Sequence, residues 1–277
     1  MAHLPSRTPA GGSESPGGER AWTRVAPVYA HTFAHFTTLT VAALLDEASV
    51  VAGARVLDLA CGTGVATAGA AARGARALGA DYSSGMLEQA ARVAPEARFV
   101  RADAHHAPFR ERAFDAVIMN FGIHTLADPA RALRECLRVT RRGGALALTV
   151  WDAAERSEAQ RLLECAVRAR GEHPGLQSET SEFADPARAA AALAAAGYES
   201  IRSRGLDLVL RAADGREIFE TFRTGTIRLA ALLANQSQAA LDRIRDEFLR
   251  SLAPWASAAG VAVPMRAILH AARRPAS

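Results

Sequence analysis

From residue 54 onward, short apolar runs alternate with longer segments in which apolar residues recur every three to four positions. The runs at 55–59, 75–80, 97–101, 113–120 and 145–151 have the length and composition of buried strands. Helical segments are predicted between them: 65–73, closed by Gly74; 83–93, stopped before Pro95; and 129–139. Strands that are apolar almost throughout, joined by helices, make a parallel sheet covered on both faces. Further on, helices are predicted at 156–170 and 185–196, the latter with Asp185 as N-cap and Pro186 in its first position. Residues 171–181 read as a loop and 200–210 as a strand. Two helical stretches, about 216–236 and 237–255, precede a closing strand at 264–271.

Before the sheet, residues 21–48 carry Trp22, Val25, Tyr29, Phe33, Phe36, Val41, Leu44 and Leu45 at helical spacing, with a break expected at Pro27. The expected architecture is therefore α/β: a doubly wound, seven-stranded, mainly parallel sheet with a partial helical lid. Residues 1–19, rich in Gly, Pro and Ser, read as a disordered tail. Residues 20–50 would form the lid, and 51–277 the main body with a helical insertion at about 214–259.

Composition narrows the class. With 277 residues, 49% of them hydrophobic, the chain has enough material for a sizeable core. Its net charge of +4 comes from 33 arginines, with no lysine, and these are spread along the chain in short pairs at most. Such a distribution is a solvated face rather than a stripe for nucleic acid. The three cysteines, Cys61, Cys136 and Cys165, form no C-x-x-C pair, so neither a disulfide framework nor a metal site is expected, and a reducing cytoplasm fits. No apolar run reaches the ~20 residues of a membrane span, and the N-terminus has no secretory pattern.

The chemistry concentrates at three successive strand ends. Val56-Leu57-Asp58-Leu59-Ala60-Cys61-Gly62-Thr63-Gly64 ends the first strand and opens a helix, where backbone N–H groups meet a ligand and glycines let the chain approach it. A nicotinamide dinucleotide site would want a third glycine where Thr67 stands, and it leaves Asp58 unexplained. Asp81, at the end of the second strand, is placed to accept both hydroxyls of a ribose; a helix N-cap is the plainer role, but Ser83 or Ser84 can serve as that cap, which favours the ribose. Asp103 and Ala104, after the third strand, are placed to read an adenine edge, with a turn aspartate as the plainer role.

As a set, these motifs resemble the class I S-adenosylmethionine-dependent methyltransferases, within the group similar to the ubiquinone/menaquinone-biosynthesis enzymes. The likeness runs over residues 25–151 and implies a cofactor, S-adenosylmethionine, with definite roles. Asp58 and the loop from Ala60 through Gly62 to Gly64 would hold its methionine part. Asp81 would bind the ribose, with Tyr82 beside it, and Met86 would pack on the adenine, which Asp103 and Ala104 would read. Asn120 would offer its carbonyl to the amino group, and Tyr29, in Val25-Ala26-Pro27-Val28-Tyr29, would reach the carboxylate. Ala60 departs from the glycine common in the family.

The implied reaction is methyl transfer to an O, N or C nucleophile of a small molecule. Transfer to nucleic acid, or use of the cofactor for another reaction, is the alternative. The Asn-Pro-Pro-aromatic run typical of DNA amino-methyltransferases is absent after Asn120. His124, just beyond the fourth strand, is the candidate general base, with His31 and His35 as alternatives; a histidine that only anchors its loop is the competing role.

Overall fold

The computed structural model describes residues 18–172 and 181–277. The disordered tail expected at 1–19 lies almost wholly outside the described residues, as does most of the loop expected at 171–181. Three helices, α1 (Glu19–His31), α2 (Phe33–Thr38) and α3 (Val41–Glu47), lead into β1 (Arg55–Leu59). There follow α4 (Val65–Ala72), β2 (Arg76–Asp81), α5 (Ser84–Val93), β3 (Arg98–Arg101), β4 (Phe114–Asn120), α6 (Pro129–Val139) and β5 (Thr140–Trp151). The second half comprises α7 (Glu158–Arg170), α8 (Pro186–Ala195), β6 (Glu199–Ala212), α9 (Gly215–Gly225), α10 (Arg228–Ala234), α11 (Gln238–Ser251), β7 (Ala256–Ser257) and β8 (Gly260–Arg273).

Seven strands run in the order β3-β2-β1-β4-β5-β8-β6, and the two-residue β7 adds an eighth beside β8. β1 to β5 are mutually parallel, while β8 runs antiparallel between β5 and β6. The order reverses between β1, which pairs with β2 on one side, and β4 on the other. In sheets of this kind the ligand crevice lies beyond the carboxyl ends of the strands at such a switch point.

Alternation along β1 sorts its side chains. Leu57 and Leu59 face a core built with Leu133 and Cys136 of α6 and Leu193 of α8. Val56 faces another, with Leu44 and Leu45 of α3 and Ala66 and Ala70 of α4. Asp58 shares the Val56 face by its spacing, which puts a carboxylate against α4. A further core joins Phe33 and Phe36 of α2, Leu163 of α7, Phe219 and Phe222 of α9, Phe248 of α11 and Val263 of β8.

Several expectations need correction. α1 continues through Pro27, and the chain turns instead at Thr32, whose backbone (φ −122°, ψ −87°) is not helical. Pro27 is exposed, so its ring needs no space in a packed interface. The segment after β6 forms three helices rather than two, because Thr226, with extended φ and ψ, ends α9 before α10 begins. β8 starts four residues earlier than patterned, and Pro264 sits within it opposite Val209. Proline is tolerated there because β5 stops pairing with β8 at Ala267. No single helix among the described residues is long and apolar enough to cross a membrane; the bent pair Glu19–His31 with Phe33–Glu47 passes only as two pieces meeting at 74°.

Candidate functional site

The loop after β1 is shaped by left-handed backbone. Ala60 (φ 55°), Gly62 (φ 54°) and Gly64 (φ 80°) all adopt it. At Gly64, a Cβ would also stand 2.9 Å from the Ala90 Cβ of α5, so glycine is required on two counts. Ala60 holds the same conformation with a side chain, at a cost of roughly 1–2 kcal/mol. The position where a dinucleotide fold would need its third glycine is Thr67, whose hydroxyl donates to Asp58 Oδ2 at 2.6 Å. Close packing is provided from the other side: a Cβ on Gly79 of β2 would lie 2.9 Å from Thr67 Oγ1 and 2.6 Å from the Phe99 ring.

A cavity opens over these strand ends, lined by Tyr29, Ala60, Gly62, Asp81, Tyr82, Met86, Asp103, Ala104 and Asn120 among others. Nine of the eleven residues that the family pattern assigns to the cofactor therefore converge on one space. Gly64 is the N-cap of α4 and Asp58 lies beneath the loop; neither lines the cavity.

Asp58 is 1% exposed, and its Oδ1 has no hydrogen-bond partner. Burial raises its pKa to about 7 against the partial relief of the Thr67 hydrogen bonds, and Asp81 adds to the rise. Asp81 accepts the Gly62 N–H on Oδ2 and the Ser83 N–H on Oδ1, each at 2.9 Å. Burial likewise raises its pKa, and the backbone donors of Ser83, Gly62 and Tyr82 oppose the rise. With three backbone donors on four lone-pair sites, the carboxylate keeps acceptor capacity, and Asp81 lines the cavity. Ser83, not Asp81, caps α5: its Oγ accepts the Met86 N–H at 3.2 Å. That hydrogen bond fixes the first turn from which Met86, 2% exposed, meets the cavity.

The N-terminal helices are fastened to this site at two points. On α1, Thr23 Oγ1 lies 3.0 Å from Ser83 Oγ, and a Cβ on Gly85 would stand 2.7 Å from the Thr23 carbonyl oxygen. Trp22 and Tyr29 of the same helix line the cavity, packed edge to face at 6.0 Å. Burial raises the Tyr29 pKa, opposed by a hydrogen bond with Thr37. At the other point, Asn120 Oδ1 accepts from Thr40 Oγ1 at 2.8 Å and from Thr149 Oγ1 at 2.7 Å, while its Nδ2 donates to the Thr37 carbonyl at 3.0 Å. Both side-chain lone pairs of Asn120 are thereby used, so acceptance from a ligand would fall to its backbone carbonyl.

Beyond β4, Phe121 lines the cavity in left-handed backbone (φ 57°) and stacks on Trp151 of the neighbouring strand at 4.0 Å. His124 is exposed and is not part of the lining, although Thr125, Leu126 and Ala127 are. His31 and His35 are exposed too. Phe121, Thr37 and His105 line the cavity without having been singled out from sequence; the Asp103-Ala104-His105 spacing was the available signal for the last.

A methyltransferase domain model matches residues 57–148. A demethylmenaquinone methyltransferase of Clavibacter sepedonicus is 34% identical over 171 residues, covering 56% of this chain and 70% of that protein. The chain belongs to the class I S-adenosylmethionine-dependent methyltransferases. The methyltransferase fold recurs in the YcgJ protein of Bacillus subtilis, at TM-score 0.56 and 20% identity over 85% of this chain and 98% of that one. It recurs also in a phosphoethanolamine N-methyltransferase of Haemonchus contortus solved with S-adenosylhomocysteine, at TM-score 0.53 and 19% identity over 85% and 52% of the respective chains. The methyltransferase takes its methyl group from S-adenosylmethionine and gives it to a small molecule.

The residues present fit that donor. S-adenosylmethionine carries a sulfonium and an ammonium against one carboxylate, so it is a net cation. Asp58 and Asp81 are two carboxylates whose charge burial disfavours, and a cation beside them relieves that cost. The Asp58 Oδ1, buried without a partner, is an acceptor such a ligand or its attendant water would satisfy.

Proposed function

We propose that the methyltransferase acts on a planar, largely apolar ring acceptor of the demethylmenaquinone kind, in its electron-rich reduced form. The observation that carries this reading is the composition of the cavity beside the two carboxylates: Trp22, Phe121 and Leu126 give it aromatic and aliphatic walls. The Clavibacter relative, by its name, methylates demethylmenaquinone.

In this reading Asp81 holds the ribose, Met86 packs against adenine, Asp103 and Ala104 read its edge, and Asp58 with the Ala60–Gly64 loop and the Asn120 carbonyl hold the methionine end. α1, as a lid, excludes water through Trp22 and Tyr29. The donor supplies a methyl already activated on sulfur, so the protein's own task is alignment, worth up to about 7–11 kcal/mol in well-oriented cases. A ring-carbon nucleophile needs no side-chain base in the attack itself, which agrees with the placing of His124 outside the lining.

The test is a transfer assay with labelled S-adenosylmethionine against a reduced demethylmenaquinone, a catechol and a primary amine. Methylation of the quinol at the highest kcat/KM is expected. Methylation of the amine alone, with S-adenosylhomocysteine binding intact, overturns the acceptor assignment.

A further inference from the structure

Two segments wall the adenine side of the cavity: the turn after β3, containing Asp103 to His106, and the loop after β4, up to Ala127. His105 joins them. Its Nδ1 lies 2.7 Å from Asp103 Oδ1, and the same oxygen accepts the His105 backbone N–H at 2.9 Å. Across the gap, the Asp128 backbone N–H donates to His105 Nε2 at 3.2 Å, and Arg131 Nε donates to the His105 carbonyl at 3.0 Å. A backbone N–H only donates, so Nε2 must present its lone pair. The one proton of a neutral imidazole then sits on Nδ1, aimed at Asp103.

The Asp103 side chain is 53% exposed, whereas that of His105 is 19% exposed. A carboxylate so open to water would have to be ordered each time a ligand binds, and that ordering weakens binding. His105 removes the freedom beforehand. It occupies Oδ1 twice and leaves Oδ2, which His106 Nδ1 approaches only at 3.5 Å, as the oxygen open to another donor. His106 in turn is held against Arg131.

We infer that His105 is a positioning residue: it aims Asp103 at the exocyclic amino group of adenine and thereby sets the preference for an adenosine cofactor over its deaminated counterpart. The inference rests on the reading that Asp103 accepts from adenine. The 6-oxo analogue replaces a donor with an acceptor at that place, so a fixed carboxylate repels it.

The experiment measures, by calorimetry, the affinities of S-adenosylhomocysteine and S-inosylhomocysteine for the wild type and for His105→Ala, His105→Asn and His105→Gln. Wild type is expected to favour the amino ligand by about 10- to 100-fold, the worth of a hydrogen bond to a charged group. His105→Ala should cut that ratio to within about threefold. The Asn amide stands near Nδ1 and should restore most of the ratio; the Gln amide reaches toward Asp128 instead and should not. If the alanine variant does not fold, the contrast between Asn and Gln decides. A ratio equal to wild type in all variants, with both affinities lowered together, makes His105 merely structural and overturns the inference. No preference in the wild type overturns the adenine reading of Asp103 itself, and the inference with it.

Discussion

Replacing Asp58 by Asn should make the protein more stable at alkaline pH and less able to bind its cofactor. The carboxyl titrates near pH 7 in the fold against 3.8 as a free side chain. Between those values the folded state holds a proton that the unfolded state has lost, so unfolding free energy falls as pH rises. The penalty is absent below about pH 4, grows through the interval and is complete above about pH 7. Three pK units at 1.36 kcal/mol each set a ceiling of about 4 kcal/mol. Asparagine keeps an oxygen to accept the Thr67 hydroxyl, but it turns an amide toward the place where Oδ1 already has no partner. An unpartnered buried donor costs about 1–3 kcal/mol.

The expected net gain is therefore on the order of 1–3 kcal/mol near pH 8, vanishing or reversing near pH 5. Urea unfolding of both proteins without ligand across that range measures it, read from midpoints at unchanged slope. Saturating S-adenosylhomocysteine should flatten the wild-type curve, since its ammonium favours the ionised carboxylate, and should bind the variant more weakly. Parallel curves for the two proteins, with a gap independent of pH, would refute the reasoning.

Asp81→Asn trades a carboxylate that serves Gly62 and Ser83 for a group with one acceptor oxygen, and S-adenosylhomocysteine binding should weaken by about 10- to 100-fold in calorimetry. Gly85→Val drives a side chain into the Thr23 backbone, so α1 must lift from α5; cofactor affinity should fall and protease cleavage within α1 should rise, whereas unchanged affinity with α1 cleaved would remove it from the cofactor's enclosure. His124→Gln should leave turnover within a few-fold of wild type at unchanged cofactor KM, and a fall of about 100-fold with stability preserved would restore it as a base.

The periodic half of the chain was legible because its strands are short, apolar and closed by residues with one plain use: Gly74 ends α4, Asp185 caps α8, and Ser83 caps α5. The three strand-end aspartates could be placed for the same reason, since strand ends fix their address. What sequence does not carry is the direction of a side chain across a loop. The amide of Asn120 is spent on the Thr37 carbonyl and on the hydroxyls of Thr40, eighty residues upstream, and Thr149, twenty-nine downstream, none of which the sequence announces. His124 was conspicuous in the string but faces out, while His105, one of two adjacent histidines in an ordinary turn, faces in. Pro27 misled because its local rule is strong, and tertiary docking of α1 decided the matter.

β6 and β8 outrun the rest of the sheet. β8 leaves β5 at Ala267 but stays with β6 until Val261, so a two-stranded ribbon projects past the parallel strands and supports α9 to α11. The ribbon's register is fixed below by the sheet, whereas its apolar face is filled from above by Leu163, Phe219 and Phe248. No described residue of α9 to α11 lines the cavity, but Phe222 of α9 packs on Phe33 of α2 at 6.4 Å, so a change in these helices is felt at the site by way of the N-terminal helices that enclose it.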